Sequence, residues 1–321
     1  MTTSVAQERI VILIPTFNDW EVADLLLSDL DRALTDYPMS AEVLFIDDGS
    51  TLPMPETFAR RQFTAVQAVD ILQLRRNLGH QRAIAVGLVY VHQNIPCGAV
   101  VVMDGDGEDR PADIRTLVEK FNQENRRSII FAARAKRLER PLFRLLYHVY
   151  RLVHWLLTGD PVRVGNFSIV PFESLGRLVV VPEIWNHYAA AIIRSRLRFQ
   201  SIPIARGQRM AGHSKMNFIG LLLHGLSAFF VYGDIVGARL LVVIALALLL
   251  EVVAVAASPS IPGLLLHLAA ILGIILLQAI PITLILVFTV IGSRSNIGFL
   301  PIRDCPYFVS KVERIFPIPV E

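Results

Sequence analysis

Residues 100–109 read Val-Val-Val-Met-Asp-Gly-Asp-Gly-Glu-Asp, an apolar run that ends in four acidic side chains. The apolar part is typical of a strand that is buried on both faces of a sheet. The acidic part begins where the chain turns out of the sheet, and α/β proteins bind their ligands at that edge. Carboxylate oxygens are suitable ligands for Mg²⁺ or Mn²⁺, which are usually also coordinated by substrate phosphates. The stretch therefore predicts an α/β sheet with a cation site; an acidic, solvated loop is the alternative.

Other apolar runs alternate with helical patterns along the first two thirds of the chain. We predict strands at 9–14, 42–46, 69–74, 99–103 and 128–133, with helices at 21–34 and in the stretch that ends at 91. This alternation favours a mostly parallel, doubly wound sheet. Polar clusters follow four of the strands, which makes a nucleotide site plausible. The chain contains neither G-x-G-x-x-G nor a Walker A sequence, so dinucleotide and P-loop ATP binding are disfavoured.

The composition indicates a membrane protein. Hydrophobic residues make up 53% of the chain and the mean hydropathy is +0.50, above the apolar share of about 45 to 50% in soluble proteins. The excess lies in residues 235–257 and 264–291, each long enough to cross a hydrocarbon core of about 30 Å. Basic residues flank the outer ends of this pair, which places both termini in the cytoplasm. The net charge of only +3 gives no indication of nucleic-acid binding.

These patterns divide the chain into four parts. Residues 1–215 are predicted to form a cytoplasmic α/β domain that includes an interfacial helix at 141–157 with a basic stripe. A core helix with an exposed basic edge is the alternative for 141–157. Residues 216–234 are predicted as a second interfacial helix, 235–292 as a transmembrane hairpin and 293–321 as a cytoplasmic C-terminal tail. Glu251 inside the first span is a functional-site hypothesis, with simple water access as the alternative.

Five short motifs occur in an order and spacing known from one family. They are Pro15-Thr-Phe-Asn-Asp19, Ile46-Asp-Asp-Gly-Ser50, Asn77-Leu-Gly-His80, Asp104-Gly-Asp106-Gly-Glu-Asp109 and Gly212-His-Ser-Lys215. Together with the two C-terminal spans, they make the chain resemble the polyisoprenyl-phosphate glycosyltransferases of glycosyltransferase family 2, the GtrB-like and dolichol-phosphate mannose synthase-like group. The resemblance covers nearly the whole chain and implies a GT-A, Rossmann-like fold.

The resemblance also implies roles for individual residues. The nucleotide-sugar site would contain Pro15, Phe17, Asp19, Asp47, Asp48, Asn77, Gly79 and Asp104. Mg²⁺ or Mn²⁺ would be held by Asp104 and Asp106, with Glu108 adding negative charge. The catalytic residues would be Asp106, Arg134 and Lys215, and the acceptor phosphate would contact Arg137, Arg209, Ser214 and Lys215.

The implied reaction moves a hexose from a nucleotide-diphosphate sugar of the UDP-glucose or GDP-mannose type to a polyprenyl or dolichyl phosphate, with inversion. A phosphate monoester is already largely ionised at neutral pH, so no strong general base is required. The chain departs from the family pattern at Asp19 (usually Glu), Glu108 (usually Gln) and Arg110 (often Pro). It also has Gly165-Asn166-Phe167-Ser168 where members often show Gly-Asp-Phe-Arg, which points to a different acceptor geometry or sugar.

Two other functions are open to a chain of this kind. One is a membrane-anchored, regulatory protein that binds a nucleotide sugar without transferring it. The other is a processive polysaccharide synthase, but those carry Q-x-x-R-W and no Trp of this chain follows an Arg. The oligomeric state is left open, although a homo-oligomer would give a two-helix hairpin more packing.

Overall fold

A computed structural model describes residues 9–35, 37, 39–134, 152–159, 164–205, 207–210, 226–227, 229, 231–257, 263–294 and 298–317. The chain divides into two compact units. The first comprises residues 1–139, 162–218 and 298–321, and the second comprises 140–161 and 219–297. The segment 141–157, predicted as an interfacial helix of the catalytic domain, thus falls in the second unit and not in the unit that contains the sheet.

The first unit contains all five predicted strands, within a few residues of the predicted bounds. They are β1 (Arg9–Thr16), β2 (Ser40–Asp47), β3 (Val66–Leu74), β4 (Ala99–Val102) and β5 (Ile129–Arg134). β1 pairs in parallel with β2 and with β4, and β2 pairs in parallel with β3. The prediction of an α/β fold with a mostly parallel sheet is confirmed.

Three further strands complete the sheet, and none of them was predicted. They are β6 (Ser168–Pro171), β7 (Phe199–Ile204) and β8 (Val309–Phe316). The order is β7-β5-β6-β4-β1-β2-β3-β8. β6 runs antiparallel to both β4 and β5, β7 runs parallel to β5, and β8 runs antiparallel to β3.

Helices cover both faces of this sheet. α1 (Trp20–Leu34) and α3 (Asp113–Gln123) pack on one face, while α2 (His80–Asn94) and α5 (Tyr188–Arg194) pack on the other with α4 (Phe172–Leu178). Ile10, Ile12 and Ile14 of β1 face the first pair, and Val11 and Leu13 face the second. Successive side chains of a strand point to opposite faces, so a strand in the centre of the sheet must be apolar throughout.

The C-terminal segment, predicted as a separate tail, belongs to the first unit. It forms α8 (Pro301–Asp304), then a 3₁₀ turn at Cys305–Phe308, and ends as β8 on the edge of the sheet. Arg314 of β8 donates two 2.8 Å hydrogen bonds to the buried carboxylate of Asp70 on β3. The prediction of a tail is therefore wrong for residues 309–316, because their backbone is paired in the sheet.

The second unit contains two long helices at the predicted spans, α6 (Gly233–Ala257) and α7 (Leu264–Arg294). Among the residues described, no helix was found that is long and apolar enough to cross a membrane. The transmembrane hairpin therefore stays a prediction. Residues 152–158 are helical. The rest of the 141–157 prediction, most of 216–234 and the Glu251 side chain lie outside the described part of the chain.

Candidate active site

The ends of three neighbouring strands bring the predicted aspartates to one edge of the sheet. Thr16 at the end of β1 lies beside Asp47 at the end of β2, and Leu13 lies beside Val102 at the end of β4. Asp19, Asp48 and Asp104 follow these strands within three residues. The geometry places the carboxylates at the edge where parallel α/β sheets bind ligands.

Asp47 and Asp48 form a buried wall between the loops after β2 and β3. Asp48 accepts hydrogen bonds from the backbone N–H groups of Leu78 (2.7 Å) and Gly79 (2.8 Å), and Asp47 accepts one from Ser50 (2.8 Å). Burial raises the pKa of Asp48, while these two N–H groups act to lower it. The side chain is thus held in one orientation, which suits recognition of a ligand by hydrogen bonds.

Glycine is required where the two loops meet. Gly49 has φ +69°, and a Cβ there would lie 2.6 Å from the backbone of Arg76. Asn77 follows in the same loop and is exposed. The close approach lets the β3 loop reach Asp48.

The loop after β1 is tied to the loop after β2 through Asn18, which was not predicted as a site residue. Its side-chain oxygen accepts hydrogen bonds from the N–H groups of Thr51 and Leu52, both at 2.9 Å. Its own N–H donates to the Ser50 hydroxyl at 2.9 Å. Pro15 lies in β1 opposite Ile46, and Phe17 is half-buried in the loop. Asn18 therefore fixes the loop that carries Phe17 and Asp19.

The acidic loop after β4 is closed by its own carboxylates. Asp109 accepts a 2.9 Å hydrogen bond from the Asp104 N–H, and Asp106 accepts a 3.0 Å bond from the Glu108 N–H. Gly107 has φ +82°, which a side chain would resist. The turn thus presents Asp104 and Asp106 on a pre-formed loop.

A segment after β7 lies across this loop and brings Arg209 to it. Gly207 donates its N–H to the Glu108 carbonyl (2.8 Å), and Met210 donates to the Asp106 carbonyl (3.2 Å). Arg209 lies 3.5 Å from the Asp106 carboxylate and 3.8 Å from that of Asp19. The resemblance assigned Arg209 to the acceptor phosphate, but here it bridges two carboxylates assigned to the donor side.

His80 and Asn166, to which no site role was assigned, both contact Asp104. The Asp104 Oδ1 atom lies 3.0 Å from His80 Nε2 and accepts a 3.1 Å hydrogen bond from Asn166 Nδ2. Burial lowers the pKa of His80, but the charge and hydrogen bond of Asp104, together with the charges of Asp48 and Asp106, outweigh it and the pKa is raised. His80 could have been found from its place in the Asn77–His80 motif. Asn166 was singled out only as a departure from Gly-Asp-Phe-Arg, and its contact with Asp104 could not be found because the strand that follows it was not predicted.

The predicted metal set of Asp104, Asp106 and Glu108 is not borne out as a three-carboxylate site. Among the described residues, no group of three or more His, Cys, Asp and Glu side chains could hold a metal ion. The Glu108 side chain lines a small cavity with Phe167 and Ile204. Two carboxylates fit a cation that completes its coordination with phosphate oxygens. Asp104 and Asp106 are therefore the residues that would hold Mg²⁺ or Mn²⁺.

For four of the predicted site residues, the structure does not describe the position of the side chain. Arg134 ends β5, but its side chain lies outside the described part of the chain. Arg137, Ser214 and Lys215 also lie outside the described residues. Their assigned roles stay predictions.

The family model described as glycosyl transferase family 2 matches residues 11–179, which is more than half of the chain. The chain belongs to this family. The matched region contains β1 to β6 and the carboxylates described above, while the C-terminal strand and the two long helices lie beyond it. The chain is thus a glycosyltransferase by family, with a GT-A-like fold.

Curated relatives and solved structures agree with this assignment. The chain is 25% identical over 224 residues to the uncharacterized glycosyltransferase YkcC of Bacillus subtilis, covering 68% of this chain and 67% of the relative. It is 25% identical over 236 residues to the undecaprenyl-phosphate 4-deoxy-4-formamido-L-arabinose transferase of Klebsiella pneumoniae, covering 69% and 67%. A crystal structure of glucosyl-3-phosphoglycerate synthase from Mycobacterium tuberculosis superposes with a TM-score of 0.51 at 15% identity, covering 74% and 84%. This last likeness shows the fold alone.

Proposed function

We propose that this glycosyltransferase moves a hexose from a nucleotide-diphosphate sugar of the UDP-glucose or GDP-mannose type to a polyprenyl phosphate, with inversion. The observation that carries the proposal is the meeting of two carboxylate pairs at one sheet edge, Asp47 with Asp48 and Asp104 with Asp106. The acceptor class is supported by the Klebsiella pneumoniae relative, whose name specifies an undecaprenyl-phosphate transferase.

The wall formed by Asp47 and Asp48 would bind the nucleoside. Carboxylate oxygens accept hydrogen bonds from a base N–H and from ribose hydroxyls. Because Asp48 is already held by the N–H groups of Leu78 and Gly79, it would lose little conformational freedom on binding. The wall alone does not distinguish a uracil from a guanine, since both present N–H donors.

Asp104 and Asp106 would bind the diphosphate end of the donor through Mg²⁺ or Mn²⁺. When bound, the divalent cation would supply charge stabilisation to the departing diphosphate. The structurally similar glucosyl-3-phosphoglycerate synthase was crystallised with Mn²⁺ and UDP-glucose. Arg209 touches the carboxylate of Asp106, and its planar guanidinium can exchange a carboxylate for a phosphate. It would therefore pair with a phosphate when substrate enters.

The acceptor phosphate would need positioning more than activation. Its oxygen is already ionised near neutral pH, so attack on the anomeric carbon requires alignment and neutralisation of two repelling phosphates. Arg137, Ser214 and Lys215 are proposed to hold this phosphate, with Arg134 and Lys215 as the cations closest to the reaction. Attack opposite the leaving diphosphate inverts the sugar.

We further propose that α6 and α7 lie in a bilayer and that the catalytic unit is cytoplasmic. The support is the apolar sequence of both helices and the exposure of large side chains on them. Leu250 is 68% exposed, and Leu246 and Ile282 are exposed to 55% and 59%. Apolar surface on this scale is uncommon in a soluble monomer. An enzyme that takes its acceptor from a lipid bilayer would have a reason to expose this apolar surface to the lipid.

A transfer assay tests the proposal. Full-length protein in detergent is incubated with Mn²⁺, undecaprenyl phosphate and a panel of radiolabelled UDP- and GDP-sugars, and the organic phase is counted. Label in the lipid from one donor is the expected result. Binding of a nucleotide sugar with no labelled lipid from any donor would favour the regulatory alternative. Phosphoglyceric acid serves as the control acceptor, and a labelled product from it instead would refute the lipid acceptor.

A further inference from the structure

Asn166 reaches the acidic loop because β6 runs against β4. Ser168 at the start of β6 pairs with Val102 at the end of β4, so the residues before β6 arrive at the edge where Asp104 lies. Asn166 is only 8% exposed. A buried amide in this place must have its hydrogen bonds satisfied within the protein.

The orientation of the Asn166 amide is set by a chain of hydrogen bonds that begins at a backbone group. The N–H of Tyr188 can only donate, and it donates to Gln81 Oε1 at 2.7 Å. The Nε2 group of Gln81 must therefore face Asn166, and it donates to Asn166 Oδ1 at 3.1 Å. The Asn166 NH₂ group is thereby directed at Asp104.

The directed NH₂ group fixes the Asp104 carboxylate from one side. Asn166 Nδ2 lies 3.1 Å from Asp104 Oδ1 and 3.0 Å from His80 Nε2, and His80 Nε2 itself lies 3.0 Å from the same oxygen. A carboxylate oxygen can accept hydrogen bonds from two donors. Asn166 Nδ2 and His80 Nε2 can therefore both donate to Asp104 Oδ1 when each carries a proton directed at that oxygen. The Asp104 backbone is held separately by Asp109.

We propose that Asn166, oriented by Gln81, is a positioning residue that holds Asp104 in the geometry that receives the cation of the donor diphosphate. This inference rests on the proposed function, since it takes Asp104 to be the cation ligand. It also gives the departure from Gly-Asp-Phe-Arg a physical meaning. A carboxylate at position 166 would direct an acceptor at Asp104, whereas the amide directs a donor.

The sharpest test changes Gln81, which does not ligate the proposed cation. In Gln81→Glu, assayed at a pH at which the new carboxyl is ionised, one oxygen still accepts from the Tyr188 N–H and the other can only accept from Asn166. The Asn166 amide must then turn over and present its oxygen to Asp104. Added negative charge alone would tighten Mn²⁺ binding, whereas loss of positioning weakens it. The two explanations therefore predict opposite signs.

Binding of Mn²⁺ by the full-length protein is followed by the loss of the free Mn²⁺ signal in electron paramagnetic resonance, with UDP or GDP present. We expect Asn166→Leu and Gln81→Glu each to weaken Mn²⁺ binding by about 10- to 100-fold, the range for groups that orient a metal ligand. The double variant should be no weaker than Asn166→Leu, because Gln81 acts through Asn166. Asn94→Ala is the matched control, since Asn94 donates only to the Tyr90 carbonyl on the same helix.

Four results would overturn the inference: wild-type Mn²⁺ affinity in Asn166→Leu, unchanged or tighter binding in Gln81→Glu, additive losses in the double variant, or no Mn²⁺ binding by the wild type with either nucleotide. If Gln81→Glu does not fold, Gln81→Met replaces it, and unchanged binding there counts equally against the inference. If the wild type binds Mn²⁺ but labels no lipid, the transfer proposal fails while the Mn²⁺ titration still decides the role of Asn166. Where transfer is measured, the loss should shrink as Mn²⁺ is raised, which a general folding defect would not produce.

Discussion

Replacing Asp106 by Asn is expected to reduce sugar transfer by about 10³-fold while the fold survives. The Oδ1 atom of Asp106 accepts a hydrogen bond from the Glu108 N–H at 3.0 Å, and the amide oxygen of Asn can accept the same bond. What is lost is the negative charge that faces Arg209 at 3.5 Å and, in the proposed reaction, the cation of the donor. The substitution therefore separates charge from loop structure.

The magnitude follows from the charge and its setting. Two unit charges about 4 Å apart interact by about 4 kcal/mol at an effective dielectric constant of about 20. This dielectric constant applies to Asp106 because its side chain is only 23% exposed. At about 1.4 kcal/mol per tenfold change, this is a loss of about 10³-fold in rate. The effect on stability should be smaller, about 1 kcal/mol, because a partly exposed ion pair such as that with Arg209 contributes little to the resting protein.

The assay measures labelled lipid and the unfolding temperature of the same preparation. Asp29→Asn is the matched control, because it removes a carboxylate that is 41% exposed and pairs only with Arg32 on α1. We expect full activity in that control. Activity of Asp106→Asn within about threefold of wild type in Mn²⁺ buffer would refute the assignment of Asp106. A collapse of the unfolding temperature would instead show that Asp106 is structural.

Three further predictions concern the stability of the first unit and the reactivity of a cysteine buried in it. Arg314→Met should lower the free energy of unfolding by about 1 to 2 kcal/mol in chemical denaturation, because the buried Asp70 carboxylate loses both of its 2.8 Å bonds; Asp70→Asn in the same chain should restore part of the loss. Gly87→Ala should cost about 1 to 3 kcal/mol by the same measurement, since its Cβ would lie 2.6 Å from Leu13 and 2.8 Å from Ile46. Cys97 should resist alkylation at pH 8 and react after unfolding, because burial raises its pKa to about 12 and keeps it a thiol; rapid labelling of the native protein would contradict this.

The central strands were predictable because each is rich in Val, Ile, Leu and other apolar residues and is followed by polar residues. The missed strands lack that signal. β6 has only four residues, Ser168–Pro171, and only Ile169 and Val170 among them are of the apolar type that is common in strands. β8 is mostly exposed along its length, as expected at a sheet edge, and its charged residues resemble those of a solvated tail. Antiparallel strands such as β6 and β8 are specified by long-range pairing, which a local pattern does not contain.

The same limit explains which part of the site was predicted. Asp47 and Asp104 follow parallel strands, so their meeting at one edge could be inferred from the alternation of strands and helices. The contact between Asn166 and Asp104 required β6 to run against β4. From the sequence, position 166 could be identified only as a departure from the family pattern, because its contact with Asp104 is not visible there.

Two of the departures from that pattern offset each other in charge. The pattern has a carboxylate at position 166 and an amide at position 108, and this chain has Asn166 and Glu108, so the number of negative charges around the acidic loop is the same. Glu108 lines a cavity together with Gly165 and Phe167, the two neighbours of Asn166. The negative charge at position 108 therefore lines this cavity, whereas position 166 contacts Asp104 with an amide. Ser168, where the pattern has Arg, is fully buried and pairs its hydroxyl with Tyr188 at 2.7 Å, a position in which a guanidinium would lose its hydration. A donor sugar bound near positions 108 and 166 would meet a charge distribution that differs from that of the family pattern. Reverting both positions together should therefore change donor preference more than reverting either alone.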